Sequence, residues 1–124
     1  MKILLTGATG YIAQRLLPVL LRNGNEVICC VRDRARFDSE KYRSAQLSVI
    51  EVDFLKPVTL QNIPDDIDAA YYLIHSMSTT TGDFEKMEEI SAINFKNRIR
   101  QTRARQVIYL SGIVNEENLS KHQN

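Results

Sequence analysis

The segment Thr6-Gly7-Ala8-Thr9-Gly10-Tyr11-Ile12-Ala13, near the amino terminus, is the most informative part of the sequence. It follows a short apolar run, Ile3-Leu4-Leu5, whose length suits a buried strand. It precedes residues 11–22, where leucine and isoleucine recur at helical spacing. A glycine turn between a strand and a helix presents unpaired backbone N–H groups at the positive end of the helix dipole. This context predicts a turn that holds the phosphates of a dinucleotide.

Outward from this turn, short apolar runs alternate with longer helical or polar segments. The predicted strands are Lys2–Thr6, Glu26–Val31, Leu47–Asp53, Asp68–Ile74 and Gln106–Leu110, and the predicted helices are Tyr11–Arg22 and Phe84–Arg105. Residues 32–45 read as irregular, and residues 57–63 as one or two helical turns. Strands that alternate with helices imply right-handed crossovers and a parallel sheet. The economical fold is a Rossmann-type doubly wound α/β sheet of strand order 3-2-1-4-5.

Three local features of the helices need interpretation. Pro18 falls inside the first helix, where it removes a backbone hydrogen bond. The second helix is expected to bury an apolar stripe made of Phe84, Met87, Ile90, Ile93, Phe95 and Ile99. Its carboxyl end carries Arg98, Arg100, Arg103 and Arg105, with acidic residues at the other end. Because acid first and base last complements the helix dipole, we interpret the arginines as a solvated face, not a nucleic-acid site.

The bulk composition describes an ordinary soluble domain. The 124 residues include 16 basic and 15 acidic side chains, a net charge of +1, which argues against nucleic-acid or membrane-surface partners. No apolar run approaches the ~20 residues of a membrane helix, and no signal peptide precedes the first strand, so we expect a cytoplasmic protein. Cys29 and Cys30 point to opposite faces of their strand and are predicted to be buried free thiols. We predict no metal site.

The glycine turn also supports a family resemblance. Thr6-Gly7-Ala8-Thr9-Gly10-Tyr11-Ile12-Ala13 resembles the T-G-x-x-G-x-x-G turn of the extended and atypical short-chain dehydrogenase/reductase superfamily. That superfamily includes nucleoside-diphosphate-sugar epimerases and the regulatory NmrA-like proteins. Ala13 replaces the last glycine, and a small residue suffices where the helix packs on the sheet. The resemblance covers all five strands and implies an NAD(P)-binding domain over residues 1–124, with Gly7, Thr9, Gly10, Tyr11 and Ile12 at the pyrophosphate.

The end of the second strand bears on which nucleotide binds. A site for NAD usually has an acidic residue there, which binds the ribose 2′-OH. Here Arg32 comes first, Asp33 one residue late, and Arg34 adds a second positive charge. A guanidinium suits the 2′-phosphate, so we predict NADP in preference to NAD. The alternative is a solvated charged loop.

Polar residues at the ends of later strands are further site candidates. Asp53 resembles the family's aspartate beside the adenine, the alternative being a helix-cap or turn aspartate. His75 and Ser76 resemble residues that line the nicotinamide ribose, and His75 could equally be a polar loop residue. Both follow the fourth strand at the carboxyl edge, where ligands bind in open α/β sheets.

The catalytic set of the family is incomplete in this sequence. Family enzymes use a serine after strand five and then Tyr-x-x-x-Lys, the tyrosine acting as acid/base. Alignment places Gly112 at the serine position, and Ser111 would take it only if the register slipped by one residue. No Tyr-x-x-x-Lys occurs. The resemblance therefore implies either the cofactor domain of an oxidoreductase or epimerase-like enzyme acting on an unknown small molecule, or a non-catalytic NADP-sensing module of NmrA-like type. A third interpretation is a Rossmann-shaped interaction domain that binds no nucleotide.

The chain stops soon after strand five, and we expect it to be the amino-terminal part of a longer protein. The fifth strand would then be an exposed sheet edge carrying Val107, Ile108 and Leu110. Because an unpaired edge is a template for another strand, we predict self-association through it.

Overall fold

The computed structural model describes residues 1–42, 44–73 and 82–110, in which strands and helices alternate along the chain. The strands are β1 (Lys2–Leu5), β2 (Glu26–Val31), β3 (Leu47–Glu51), β4 (Ala69–Leu73) and β5 (Gln106–Leu110), and the helices are α1 (Tyr11–Arg22) and α2 (Gly82–Ile99). Short 3-10 turns lie at Arg34–Arg36, Ser39–Tyr42 and Pro57–Asn62. None of the helices within these three ranges has the length and apolar content needed to cross a membrane.

The strands form one parallel sheet of order β3-β2-β1-β4-β5, which confirms the predicted doubly wound topology. The chain moves outward from β1 in one direction and from β4 in the other. Right-handed crossovers therefore put α1 on one face of the sheet and α2 on the other. Strands β1 and β3 end one and two residues earlier than predicted, because the chain begins to turn toward the site at Thr6 and Val52.

Alternate residues of the central strands feed two separate cores. Leu5 and Cys29 join the core beneath α1, and Leu4 and Cys30 join the core beneath α2. The two thiols are buried and free, as predicted. Burial raises the pKa of the Cys29 thiol to about 12 and raises that of Cys30 further, so both remain protonated at neutral pH.

Helix α1 runs unbroken through Pro18 and buries Ala13, Leu17 and Leu20. It ends where predicted, because Gly24 adopts φ 82° and donates its N–H to the Leu21 carbonyl. This turn delivers the chain directly into β2.

Helix α2 ends at Ile99, six residues before the predicted end at Arg105. The N–H groups of Gln101 and Thr102 donate to the carbonyls of residues 98 and 99, which tightens the last turn. The Arg103 N–H then donates to the Asp65 carbonyl at 2.9 Å. This long-range bond directs the chain back to the sheet, so residues 100–105 are not helical although their sequence favours a helix.

The predicted apolar stripe of α2 is wrong for Met87, Ile90 and Ile93 and right for Phe95 and Ile99. Met87, Ile90 and Ile93 are 46%, 47% and 49% exposed, whereas Phe95 and Ile99 are buried. Phe95 and Ile99 are one helical turn apart and lie over the sheet, while Ile90 and Ile93 lie on the far side of the helix. The amino half of α2 borders the cleft described below. The apolar residues of that half therefore do not indicate which face of the helix packs on the sheet. The side chain of Phe84 lies outside the described residues.

The interpretation of the α2 arginines as a solvated face is wrong for Arg98, because this side chain is buried. Only 8% of it is exposed. Its guanidinium donates to the carbonyls of Leu60 and Ile63 and pairs with Asp65 at 2.7 Å. The arginine therefore joins the end of α2 to the segment that leads into β4.

Candidate functional site

The site lies where the sheet changes direction, between β1 and β4 at their carboxyl ends. Thr6 joins the two strands there: its N–H donates to the Tyr71 carbonyl at 3.1 Å, and its hydroxyl accepts from the Leu73 N–H at 3.1 Å. The threonine is 3% exposed, so its hydroxyl extends the strand ladder inside the core. The glycine turn therefore starts from a rigid position.

The turn itself has the backbone shape that the glycines predict. Gly7 adopts φ 63°, a left-handed conformation that other residues adopt only with strain. Its carbonyl accepts from the Gly10 N–H at 2.9 Å, which closes the turn, and Gly10 is the N-cap of α1. The first helical bond runs from Gln14 N–H to the Gly10 carbonyl.

The amino end of α1 is open to an anion. Gly10 has no side chain with which to cap the helix, and the first turn contains no acidic residue. The N–H groups of residues 11–13 precede the first helical bond and therefore point out of the helix end. Together with the helix dipole, they form a place for a phosphate group.

Beside this turn, a cleft of about 570 Å³ opens across the carboxyl edge of the sheet. Its volume falls within the range of small-molecule and cofactor sites. Its walls come from the ends of β1, β2, β3 and β4 and from the first half of α2. They consist of Thr6, Gly7, Ala8, Thr9, Cys30, Val31, Arg32, Val52, Asp53, Phe54, Leu55, Tyr72, Leu73, Met87, Glu88, Glu89, Ser91 and Ala92.

Four of the residues predicted from the sequence line this cleft, namely Gly7, Thr9, Arg32 and Asp53. Gly10 closes the turn beside it. Three other predicted site residues, His75, Ser76 and Ser111, lie outside the described residues.

Tyr11 and Ile12 can contribute only backbone groups. The Tyr11 ring is 57% exposed, with the Arg15 guanidinium 4.5 Å above it. The Ile12 side chain packs against the core beneath α1. Neither side chain belongs to the cleft wall, so only their N–H groups at the helix end are placed for a ligand.

Asp53 has the local role that the sequence left as its alternative, and it also lines the cleft. One carboxylate oxygen accepts from the Leu55 N–H at 2.9 Å, which forms an Asx turn. The Thr59 hydroxyl accepts from the Asp53 N–H at 2.9 Å. These bonds hold the carboxylate at the cleft wall, and its second oxygen accepts no hydrogen bond from the residues that the structure describes.

Several cleft residues could not be recognised from the sequence. Leu55 and Phe54 enter it because the chain turns at Asp53, and Glu88 enters it because α2 returns over the sheet. Burial raises the pKa of the Tyr72 phenol, and the nearby Glu88 carboxylate raises it further. Tyr72 is therefore a neutral hydrogen-bonding group at the cleft floor. The only sequence signal for it was its place near the end of a predicted strand.

A parallel sheet with a glycine turn and an open helix end at its switch point defines a Rossmann nucleotide-binding domain. The profile of the NAD-dependent epimerase/dehydratase family matches residues 3–112. The chain therefore belongs to that family, which confirms the resemblance seen in the sequence and makes it an NAD(P)-binding domain of epimerase and short-chain dehydrogenase type.

Solved structures show the same fold. Gre2 of Candida albicans in complex with NADPH has a TM-score of 0.72 at 23% identity, and the match covers 88% of this chain and 36% of that one. Yeast methylglyoxal/isovaleraldehyde reductase Gre2 complexed with NADPH gives 0.71 at 18%, over 88% and 36%. A nucleoside-diphosphate-sugar epimerase of Staphylococcus aureus gives 0.68 at 19%, over 88% and 37%.

The chain thus spans just over a third of the length of these three proteins. At such identities the likeness concerns the fold alone. No curated protein sequence gives a significant match.

Proposed function

We propose that this chain binds NADP(H) in the cleft and serves as the cofactor-binding part of an oxidoreductase or epimerase-like enzyme. The observation that carries the proposal is the position of Arg32, which lines the cleft directly after β2. A guanidinium there is suited to a ribose 2′-phosphate, because its fork of donors matches phosphate oxygens. Two of the similar folds, both Gre2 proteins, are NADPH complexes.

The residues present fit the dinucleotide on three counts. Gly7 has the left-handed φ that lets the backbone approach a phosphate closely, and the α1 end has no capping side chain. The cleft is large enough for a ligand of this class. The Asp53 carboxylate can accept from the adenine amine, and bound NADP(H) would supply or accept a hydride.

Asp33, the acidic residue next to Arg32, forms its bonds within its own loop, which favours NADP over NAD. Asp33 caps the short 3-10 turn by accepting from the Ala35 N–H at 3.0 Å. Its other oxygen lies 3.8 Å from the Arg36 Nε. An aspartate held this way is poorly placed to accept from a ribose 2′-OH, whereas Arg32 lines the cleft.

The test is calorimetric titration of the chain with NADPH and, separately, with NADH. We expect tighter binding of NADPH, and Arg32→Ala should weaken it by about 10- to 100-fold, the worth of a lost charge-assisted bond. The same substitution should leave the Kd for NADH within about twofold, since NADH lacks the phosphate. Equal loss of both nucleotides, or tighter NADH binding by the unaltered chain, would contradict the assignment to NADP.

A regulatory NADP sensor of NmrA-like type is the second candidate, favoured by Gly112 at the position of the family's catalytic serine. Both candidates need the cofactor cleft, and they differ in turnover. A sensor binds NADPH and turns over no substrate, whereas an oxidoreductase oxidises NADPH as it reduces a carbonyl substrate, and an epimerase-like enzyme interconverts its sugar substrates while its cofactor is regenerated. The buried thiols Cys29 and Cys30 are free, which supports a reducing compartment such as the cytoplasm.

We also propose that β5 is a pairing edge. In the described part of the sheet β5 has β4 as its one neighbour, so its other side carries unpaired backbone groups. We expect the 124-residue chain to self-associate as concentration rises in sedimentation velocity. Tyr109→Lys, which places a charge on this half-exposed edge, should reduce association. A monomer at all concentrations would refute the idea.

A further inference from the structure

Hydrogen bonds join the loop after β2 to the outer edge of β3. Arg32 is the single residue between two points at which this loop is held. Before it, the Val31 carbonyl accepts from the Val52 N–H at 2.8 Å. After it, Asp33 is fixed as the cap of the turn Arg34–Arg36. The loop is therefore held on both sides of the residue that lines the cleft.

The tie on the far side is made by Glu51 and Arg34. One carboxylate oxygen of Glu51 accepts from the Arg34 backbone N–H at 2.9 Å. The Arg34 guanidinium reaches back to the Val49 carbonyl at 2.6 Å. Arg34 thus directs its charge to the edge of β3, although the sequence had suggested it as a second cation for the phosphate.

We infer that Glu51 is a positioning residue for nucleotide selectivity: with Arg34 it holds the 32–36 loop so that Arg32 is presented to a 2′-phosphate. The inference rests on the proposed NADP(H) function and adds a residue outside the cleft to it. A loop held in its binding shape does not lose conformational freedom when the phosphate arrives, so affinity for the phosphate rises.

The charge of Glu51 makes the inference sharply testable, because its two effects have opposite signs. As a nearby negative charge, Glu51 repels a phosphate, so its removal should tighten NADPH binding. As the acceptor for the Arg34 N–H, it orders the loop, so its removal should weaken NADPH binding. Glu51→Gln and Glu51→Ala remove the same charge, but only the glutamine keeps an acceptor oxygen at that place.

Calorimetric titration should separate the two variants. We expect Glu51→Ala to raise the Kd for NADPH by about three- to tenfold, the worth of one intramolecular hydrogen bond. Glu51→Gln should stay within about twofold of the unaltered chain, and neither variant should move the Kd for NADH by more than about twofold. Glu40→Ala, which removes an equal charge from the exposed turn Ser39–Tyr42, serves as the matched control.

Hydrogen exchange of the Arg34 amide gives a readout without nucleotide. The amide should be protected in the unaltered chain and in Glu51→Gln, and should exchange faster in Glu51→Ala. Equal effects of the two Glu51 variants on NADPH, in either direction, would overturn the inference. Equal weakening of NADPH and NADH by Glu51→Ala would do the same, because it would indicate a general structural role. If the unaltered chain binds neither nucleotide, it is the proposed function that fails.

Discussion

The two edges of the one sheet use their charged residues differently. At the amino edge, the Lys2 Nζ lies 2.9 Å from Oδ1 of Asp66 and 3.8 Å from Oε2 of Glu26. The Arg103 Nη2 lies 3.3 Å from Oδ1 of Asp68. These charges surround a groove of about 530 Å³ and are paired with one another. At the carboxyl edge, Arg32 lines the cleft with no ion-pair partner within the described residues.

The difference teaches how a site is distinguished from a scaffold in this fold. Both edges have a groove, a positive-φ glycine and a cation, so none of these features alone marks a ligand site. At the amino edge, Lys2 and Arg103 are paired with the carboxylates of Glu26, Asp66 and Asp68. The carboxyl edge leaves donors, namely the α1 end and the Arg32 guanidinium, without internal partners among the described residues, and unmatched donors are what a dinucleotide phosphate needs.

The largest expected effect is on nucleotide binding, and it compares the two glycines that have left-handed backbone. Gly7 (φ 63°) is at the carboxyl edge and Gly24 (φ 82°) at the amino edge. Replacement of either by alanine should lower the free energy of unfolding by about 1–2 kcal/mol, because a Cβ disfavours this conformation. Only Gly7→Ala should also abolish detectable binding of NADPH and NADH. Nucleotide binding that survives in Gly7→Ala, or is lost in Gly24→Ala, would break the distinction between the edges.

Arg98 tests the claim that the cations toward the amino edge serve the fold. Arg98→Met should lower the free energy of unfolding by about 2–4 kcal/mol, because the buried Ile63 carbonyl loses its donor and the buried Leu60 carbonyl loses one of its two donors. Arg100→Met, at an exposed position two residues further along the chain, should change it by less than about 0.5 kcal/mol. Urea denaturation measures both. We expect NADPH affinity of the folded Arg98→Met protein to be unchanged, and a large loss of affinity would mean that the two edges are coupled.

The smallest expected effect is a pH dependence that belongs to the amino edge. The pKa of Asp68 lies below its ordinary value of 3.8, because its carboxylate accepts from the Lys2 backbone N–H and lies beside Arg103. A depressed pKa means that the ionised form stabilises the fold above pH 3.8, and that this contribution is lost as the pH falls through the lower folded value.

We therefore expect Asp68→Asn to lower Tm at neutral pH by about 4 °C or less, and the difference from the unaltered chain to shrink toward zero as the pH falls below 3.8. Thermal melts across this range measure it. Glu40→Gln, at an exposed position, should run parallel to the unaltered chain at every pH. A difference between Asp68→Asn and the unaltered chain that persists in acid would show that Asp68 acts through something other than its charge.

Much of this architecture could be predicted because its signals are local. The run before Thr6 and the glycines after it define a strand, a turn and a helix start within a dozen residues, and the alternation of Cys29 and Cys30 needs only the geometry of one strand. The strand order could be predicted because alternating strands and helices with right-handed crossovers leave few topologies. Arg32 could be assigned to the carboxyl edge because it directly follows β2.

Tertiary structure alone decided which way several side chains face. The buried line of α2, the burial of Arg98 and the end of the helix at Ile99 all depend on contacts with residues 30 or more positions away, such as Asp65. The diversion of Arg34 to β3 likewise needs the pairing of β2 with β3. Local periodicity shows which face of a segment is able to pack against a core. The tertiary contacts of that segment determine which charged side chains form bonds within the fold and which are left for a ligand.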